Sequence, residues 1–271
     1  MRMEDTITVT ENQELPDVLE RKSSVVPGEG TGGFLTSAPD PYRYDGNHDL
    51  DPLEVSGIIA NLVPRGSRVL DVGCGTGALS VLLRDVREAS VTGVEPDASR
   101  AARARERGIE AVTGVLTASL HETLGEFDVA VYADVLEHLV DPLAELIKVR
   151  PFLKPGGVVV ISVPNVAHWS VRADLLFGRF RYAEVGIMDA THLRWFTEET
   201  LRQLLDQAGV EILSIERSAG VTLPCYWQTP TKYMPSRVRN AMVRRASRWF
   251  PRLFGGQHVV AGRFRPTGRA T

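Results

Sequence analysis

Three alternate glycines, Gly73, Gly75 and Gly77, follow Asp71 in the run RVLDVGCGTG at 68–77. Val69, Leu70 and Val72 read as a buried strand, and 78–86 has helical spacing. A strand that passes through a glycine loop into a helix presents backbone N–H groups and a helix N-terminus to a ligand. Glycine is required where a Cβ would block that approach. Glu95 ends the next apolar run, 91–95, at the spacing at which an acid meets ribose hydroxyls in dinucleotide sites. Gly73, Gly75 and Ala78 also satisfy G-x-G-x-x-G/A, so the loop alone leaves a nicotinamide dinucleotide open.

The chain around this loop has 271 residues, enough for one large domain or one domain with appendages. Hydrophobic residues make up 43% of it, which suffices for a sizeable core. The longest apolar run, 158–163, is far short of a membrane span. The acidic N-terminus lacks a signal-peptide core, and the two cysteines, Cys74 and Cys225, make no disulfide framework. These features point to a cytoplasmic protein without a transmembrane segment. Net charge is −3, but it is unevenly spread. From Arg217 onward there are eleven Lys or Arg and no Asp or Glu, which leaves 20 basic against 34 acidic residues before it, a net of −14. A basic tail on an acidic body suggests contact with phosphate, a membrane surface, nucleic acid or the body itself.

The elements that must position the loop follow in order. Residues 1–40 have little periodicity and read as disordered or as an arm that closes over the site. Tyr42, Tyr44 and His48 precede a helix-like stretch at 53–62. After the loop, strand and helix signals alternate. Strands fall at 91–95, 111–114, 127–133 and 158–163, and helices at 98–107 and 143–153. Asp97 can cap the first of these helices, and Asp141 with Pro142 can open the second. Lys154, Pro155, Gly156 and Gly157 read as a turn. Continuous apolar strands separated by helices imply a doubly wound, mostly parallel α/β sheet covered on both faces. The pattern breaks at 165–196, which is dense in aromatic, histidine and arginine residues and follows the fifth strand, where open α/β sheets bind ligands. That stretch reads as a substrate lid, with His168 and Trp169 either packed in it or touching substrate. Thr197 can cap a helix that ends at Gly209, strands follow at 210–215 and 258–264, and a basic insertion with a helix at 236–250 lies between them.

The run VLDVGCGTG resembles motif I of the class I S-adenosyl-L-methionine (SAM) dependent methyltransferases. Supporting motifs are Glu95 after the second strand, FDVAVYAD, LKPGG at 153–157, and HLRWFTEETLRQLLDQAGVEI at 192–212. The last is similar to the small-molecule and glycan-modifying branch that includes the ubiquinone-biosynthesis O-methyltransferases. The resemblance covers 45–265 and implies a seven-stranded Rossmann-like sheet whose last strand is antiparallel and lies beside the sixth. It implies domain limits of 1–44 for an arm, 45–265 for the methyltransferase domain with a lid at 165–196 and an insertion at 222–256, and 266–271 for a tail. Asp71, Gly73, Cys74, Gly75 and Gly77 would surround the methionine part of SAM. Glu95 would hold the ribose hydroxyls, and Pro96 and Asp97 would flank the adenine edge. Many relatives place an Asp after strand three, but this chain has Thr113-Gly114-Val115-Leu116, so Val115 and Leu116 would serve by backbone and apolar contact. Tyr132, Ala133 and Asp134 would end strand four beside the methyl group. In such relatives a helix at the position of 53–62 helps to cover the cofactor.

A hydroxyl acceptor benefits from a base, and His138 and His192 are the residues so placed. Asp134, Glu137, His138 and His192 also match a D/E-x-x-E-H plus distant His pattern that holds a divalent metal in some small-RNA 2′-O-methyltransferases and some ubiquinone-type enzymes. Alternatively, Glu137 and His138 cap the next helix and orient the loop. The expected activity is SAM-dependent O-methylation of a small metabolite, sugar or nucleotide- or lipid-linked intermediate. The arginine-rich insertion would suit a phosphate-bearing acceptor, and a homodimer is open. An RNA 2′-O-methyltransferase is an alternative that the basic tail favours and the shortage of stacking aromatics disfavours. A nicotinamide-dependent oxidoreductase is disfavoured by the lack of a second catalytic domain and of a Tyr-x-x-x-Lys pair.

Overall fold

The computed structural model describes residues 50–227 and 231–266. The expected arm, with Tyr42, Tyr44 and His48, and tail residues 267–271 lie outside the described residues. The elements run α1 (Val55–Leu62), β1 (Arg68–Val72), α2 (Ala78–Arg87), β2 (Ser90–Glu95), α3 (Ala98–Glu106), β3 (Glu110–Thr113), α4 (Ala118–Leu124), β4 (Phe127–Ala133), α5 (Pro142–Val149), β5 (Leu153–Pro164), α6 (Trp169–Leu176), α7 (Glu198–Gln207), β6 (Val210–Arg217), α8 (Ser236–Trp249), α9 (Pro251–Phe254) and β7 (Gln257–Phe264).

The seven strands form one sheet in the order β3-β2-β1-β4-β5-β7-β6. Strands β1 to β5 pair in parallel, and β7 runs antiparallel between β5 and β6. The expected fold is therefore present, with its last strand inserted beside the sixth. Because successive strand residues face opposite sides, Ala130 and Tyr132 of β4 enter one apolar cluster while Val129 and Val131 enter another. The first cluster packs Phe152, Leu146 and Leu201 against the sheet. The second packs Ile59 of α1, Leu83 of α2 and Val259 of β7. Thus α1 joins the core through Ile58 and Ile59.

Local chemistry sets the helix boundaries. The Asp97 carboxylate accepts from the N–H groups of Ser99 and Arg100, and that of Asp141 accepts from Ala144 N–H. Thr197 and Thr200 form a reciprocal capping box on α7. Helix α5 is shorter than expected. Pro151 has no N–H to donate, so the chain tightens into a 3-10 turn at Arg150–Phe152 and passes into β5. The expected turn at 154–157 lies within β5 as a break in register, where β4 advances from Phe127 to Val129 while β5 advances from Leu153 to Val158. Helices α4, α6 and α9 had no place in the sequence reading.

Buried Glu198 at the start of α7 ties three elements together. Its carboxylate accepts from Arg202 on α7, Arg217 on β6 and Arg252 on α9. Burial pushes this carboxyl up, but the hydrogen bonds from Arg217, Arg202 and Arg252 outweigh it and hold the pKa at about 2. An unfolded glutamate titrates near about 4.3. The ionised group therefore stabilises the fold fully above about pH 5, and that contribution is lost as pH falls toward about 2. Arg202 and Arg252 face solvent, so the effect is on the order of 1–2 kcal/mol. Glu198→Gln should lower the urea midpoint at neutral pH, and the gap to the parent should close between about pH 5 and pH 2. A gap independent of pH would remove charge as the cause.

Candidate active site

The glycine loop is held from below by two buried carboxylates. Glu95 ends β2, 4% exposed, and its Oε2 accepts from Gly75 N–H at 2.9 Å while its Oε1 accepts from Asp97 N–H at 3.0 Å. Asp71 on β1 accepts from Ser80 Oγ of α2 at 2.5 Å. Burial raises the Asp71 carboxyl to about 6, against the lowering effect of Ser80, and the charge of Glu95 adds to the rise. Gly73, Gly75 and Gly77 have φ of 71°, 56° and 79°. That left-handed backbone suits glycine, and it turns the loop tightly into α2. A Cβ on Gly73 would come within 2.7 Å of the Val135 side chain, so the missing side chain lets the turn after β4 close against the loop. A Cβ on Gly75 would project into open space. That is the face on which a ligand can approach.

The other residues named from the sequence divide by where their side chains go. Pro96 is exposed beside the capping carboxylate of Asp97. Gly114 N–H donates to Glu95 O, which places Val115, 57% exposed, beside the end of β2. Leu116 is a correction: its side chain is buried in the main core, so only its backbone can face the loop. Cys74 is a second: its Sγ fills the space that Gly93 leaves, where a Cβ would sit 2.5 Å away, and it packs with Ala104, Ile109 and Ala111. Burial first, then the charges of Asp71 and Glu95, drive this thiol far from ionisation.

Beyond β4 the chain makes a strained turn. Asp134 has φ of 55°. Its Oδ1 accepts from Ser162 Oγ at 2.9 Å and its Oδ2 from Gln257 Nε2 at 3.2 Å, so β5 and β7 both hold it. The 3-10 turn Leu136–His138 follows. The end of the lid lies against it, with the N–H groups of Leu193 and Arg194 donating to Glu137 O at 2.7 and 2.9 Å. This pairing brings two distant histidines together. His138 and His192 stack edge to face with ring centroids 4.9 Å apart. Nδ1 of His138 meets Thr191 O at 3.2 Å, and Nδ1 of His192 meets Ile187 O at 3.1 Å. A carbonyl can only accept, so each Nδ1 carries a proton, and the neutral form of each ring keeps its lone pair on Nε2.

Beside these rings lies Glu137, 1% exposed, and neither carboxylate oxygen has a hydrogen-bond partner among the described residues. Burial pushes this carboxyl well up, and the charges of Asp134 and Asp189 push it further. Ligand atoms of Glu137, His138 and His192 all lie within 4.8 Å of one another. Asp134 is not among them, and its oxygens accept from Ser162 and Gln257 instead, so the four-residue pattern is gathered only in part. His168 is wholly buried, with Nδ1 on Ser170 Oγ at 2.8 Å and Nε2 on Tyr226 OH at 3.0 Å. Burial lowers its pKa to about 4. It therefore packs the lid and does not face a substrate. Tyr226, its partner, was not singled out in the sequence.

The segment from His192 to Thr197 ends at a second feature, a cleft of about 390 Å³ whose lining includes Asn165, Arg172, Arg202 and Arg252. Nothing in the sequence marked it, because its arginines come from three separate elements.

A family model described as a methyltransferase domain matches residues 48–215, well over half of the chain. The ubiquinone biosynthesis O-methyltransferase of Pseudomonas aeruginosa is 37% identical over 124 residues, covering 44% of this chain and 53% of that protein. The chain thus spans about half the length of the curated relatives it matches. Among solved structures, an S-adenosylmethionine-dependent methyltransferase from Thermotoga maritima has a TM-score of 0.50 at 20% identity and covers 76% of this chain and 86% of that one. The PH0226 protein of Pyrococcus horikoshii has a TM-score of 0.52 at 16% identity, over 83% of this chain and 91% of that one. These structures share the fold. The chain belongs to the methyltransferase domain family, in its class I fold, and its cofactor is S-adenosyl-L-methionine.

Proposed function

We propose that the protein methylates a hydroxyl group of a small acceptor, with His138 and His192 as the residues that handle its proton. The observation that carries this reading is the pairing of two imidazoles, each with Nδ1 on a backbone carbonyl, beside the turn that Val135 packs against the glycine loop. The likeness to an O-methyltransferase supports oxygen as the acceptor atom. The site also fits the cofactor. Gly75 leaves open the space that a Cβ would fill, and each Glu95 oxygen keeps a lone pair for ribose hydroxyls beyond its backbone bond. When bound, S-adenosyl-L-methionine supplies an electrophilic methyl group on a sulfonium, ready for in-line displacement. The chain must then align the acceptor, exclude water and take its proton. An Nε2 lone pair, with Nδ1 held on a carbonyl, serves the last of these needs.

The acceptor we favour carries phosphate at a distance from the methylated oxygen. Five residues of extended chain between His192 and Thr197 reach at most about 17 Å, and Thr197 lines the cleft with Glu198, Glu199, Arg202 and Arg252, the last two paired with Glu198, which leaves Arg172 as its arginine without a carboxylate partner among the described residues. Guanidinium groups suit phosphate oxygens by geometry and charge.

A second reading is favoured by Glu137. A buried carboxylate with no hydrogen-bond partner is costly, and a divalent cation held by Glu137, His138 and His192 would relieve it. Carboxylate and imidazole donors suit zinc, manganese or iron, and such an ion would polarise the acceptor oxygen. Elemental analysis of the purified protein discriminates the two readings. One equivalent of metal, lost in Glu137→Gln, would establish the ion; a metal-free, chelator-resistant enzyme would leave the imidazoles as bases.

Two further outcomes are expected. Gly75→Val should weaken S-adenosylhomocysteine binding by about a hundredfold or more in calorimetry, since the side chain enters the open face and strains a left-handed residue. Affinity within a few fold of the parent would remove the loop from this role. His192→Ala should reduce kcat by roughly a hundredfold or more while S-adenosylhomocysteine affinity stays within a few fold. An equal loss in both would make the segment a cofactor cover.

A further inference from the structure

Helix α8 is amphipathic in an unusual sense. Its inner face is spaced four residues apart: Arg239, Val243 and Ser247, all buried. Arg239 lies flat on the Trp227 ring, 3.6 Å from its centroid, and the neighbouring Arg244 is paired with Asp51. Its larger apolar residues point away from the body. Val238, Met242, Arg245 and Trp249 are spaced four, three and four residues apart, which makes a single stripe on a helix. The three apolar members are each between 48% and 63% exposed, and Phe250, 59% exposed, prolongs the stripe past the helix end. Arg245 lies over the Trp249 ring at 4.9 Å. Among the described residues, no carboxylate pairs with Arg237, Arg245 or Arg248. No acid occurs anywhere from Arg217 to the C-terminus.

We propose that this outer face of α8 docks the protein on the surface of an anionic lipid bilayer. The charges select the partner and the stripe selects its class. Guanidinium groups pair with headgroup phosphates, while Val238, Met242 and Trp249 enter the boundary between headgroups and acyl chains. Fourteen residues span only about 21 Å, and no helix among the described residues is long and apolar enough to cross a membrane, so α8 lies on the surface. Nucleic acid would use the arginines and the tryptophan but leave the aliphatic members idle, because bases stack on aromatic rings. A second copy of the same face would set like charges against each other. The docking face reaches the lid through packed side chains: Val243 clusters with Tyr226, whose hydroxyl bonds to His168 and to Trp169 of α6. The proposal stands on α8 alone and does not depend on which acceptor is methylated.

The test is cosedimentation of the full chain with vesicles of phosphatidylcholine alone and of phosphatidylcholine with an equal part of phosphatidylglycerol, at low and high salt. Binding to the anionic vesicles should exceed that to the zwitterionic ones by about tenfold or more, and should fall with salt. Trp249→Glu combined with Met242→Glu should abolish it. Arg245→Gln combined with Arg248→Gln should weaken it by roughly twenty-five-fold, at about fivefold per charge. All four side chains face solvent, so both variants should keep the S-adenosylhomocysteine affinity and melting temperature of the parent. Equal binding to both vesicles, or unchanged binding by the apolar double variant, would overturn the proposal. So would retention on a single-stranded oligonucleotide that only the arginine variant loses, which would reassign the face to nucleic acid. A parent dimer that the apolar variant dissolves would reassign it to self-association.

Discussion

The hydrogen bond from Gly75 N–H to the Glu95 carboxylate joins the loop after β1 to the end of β2, and the site is arranged about it. It is a charge-assisted bond within a buried setting, where such bonds are strong. The same carboxylate receives the N–H of Asp97, whose own side chain caps α3. One acid therefore sets the height of the loop and, through Asp97, the start of the next helix. The left-handed backbone of the three glycines would be poorly determined without such an anchor. Asp71 and Ser80 brace the other side, so the loop is pinned to β1, β2 and α2 before any ligand arrives. A pre-formed cradle does not have to be ordered at the moment of binding.

Much of this was legible in the sequence because it rests on local chemistry. Glycine spacing, the acid after β2, the Asp97 and Thr197 caps and the apolar strands each depend on neighbours a few residues away. Side-chain direction was less legible. Cys74 sits in the middle of the glycine run, yet its sulfur serves the core because Gly93 on the adjacent strand makes room for it. Leu116 follows the loop-side residue Val115, but the connection after β3 turns it into the main core. His168 looked chemical by type and is a packing residue because Tyr226, fifty-eight positions later, completes its hydrogen bonds. The α6 and α9 helices escaped notice for a similar reason. They are short, and their stability comes from tertiary packing that no local pattern announces.

The histidine pair shows the limit from the other direction. His138 and His192 are fifty-four positions apart and meet because lid backbone pairs with the carbonyl of Glu137. Their types suggested a role, but only the pairing makes them one unit. The Asp134 turn explains why the lid can register there. Its positive φ is held by Ser162 and Gln257, so β5 and β7 both define where the chain leaves β4. The inserted antiparallel strand thus does more than close the sheet, since it supplies the amide that fixes the aspartate next to the candidate centre.

The basic C-terminal region is best understood as two populations of arginine with opposite tasks. Arg217, Arg239 and Arg244 turn toward the body, where Glu198, Trp227 and Asp51 receive them, and the solvent-facing Arg252 also reaches Glu198. They act as struts that fasten the insertion to an acidic body, which is one of the roles that the charge asymmetry suggested. Arg237, Arg245 and Arg248 have no carboxylate partner among the described residues and share the outer surface with exposed apolar groups. A helix made only to solvate the domain would not expose Met242 and Trp249, and one made only to pack would not bury Arg239. The inward set anchors the helix with polar contacts, which leaves the apolar residues free for the outside.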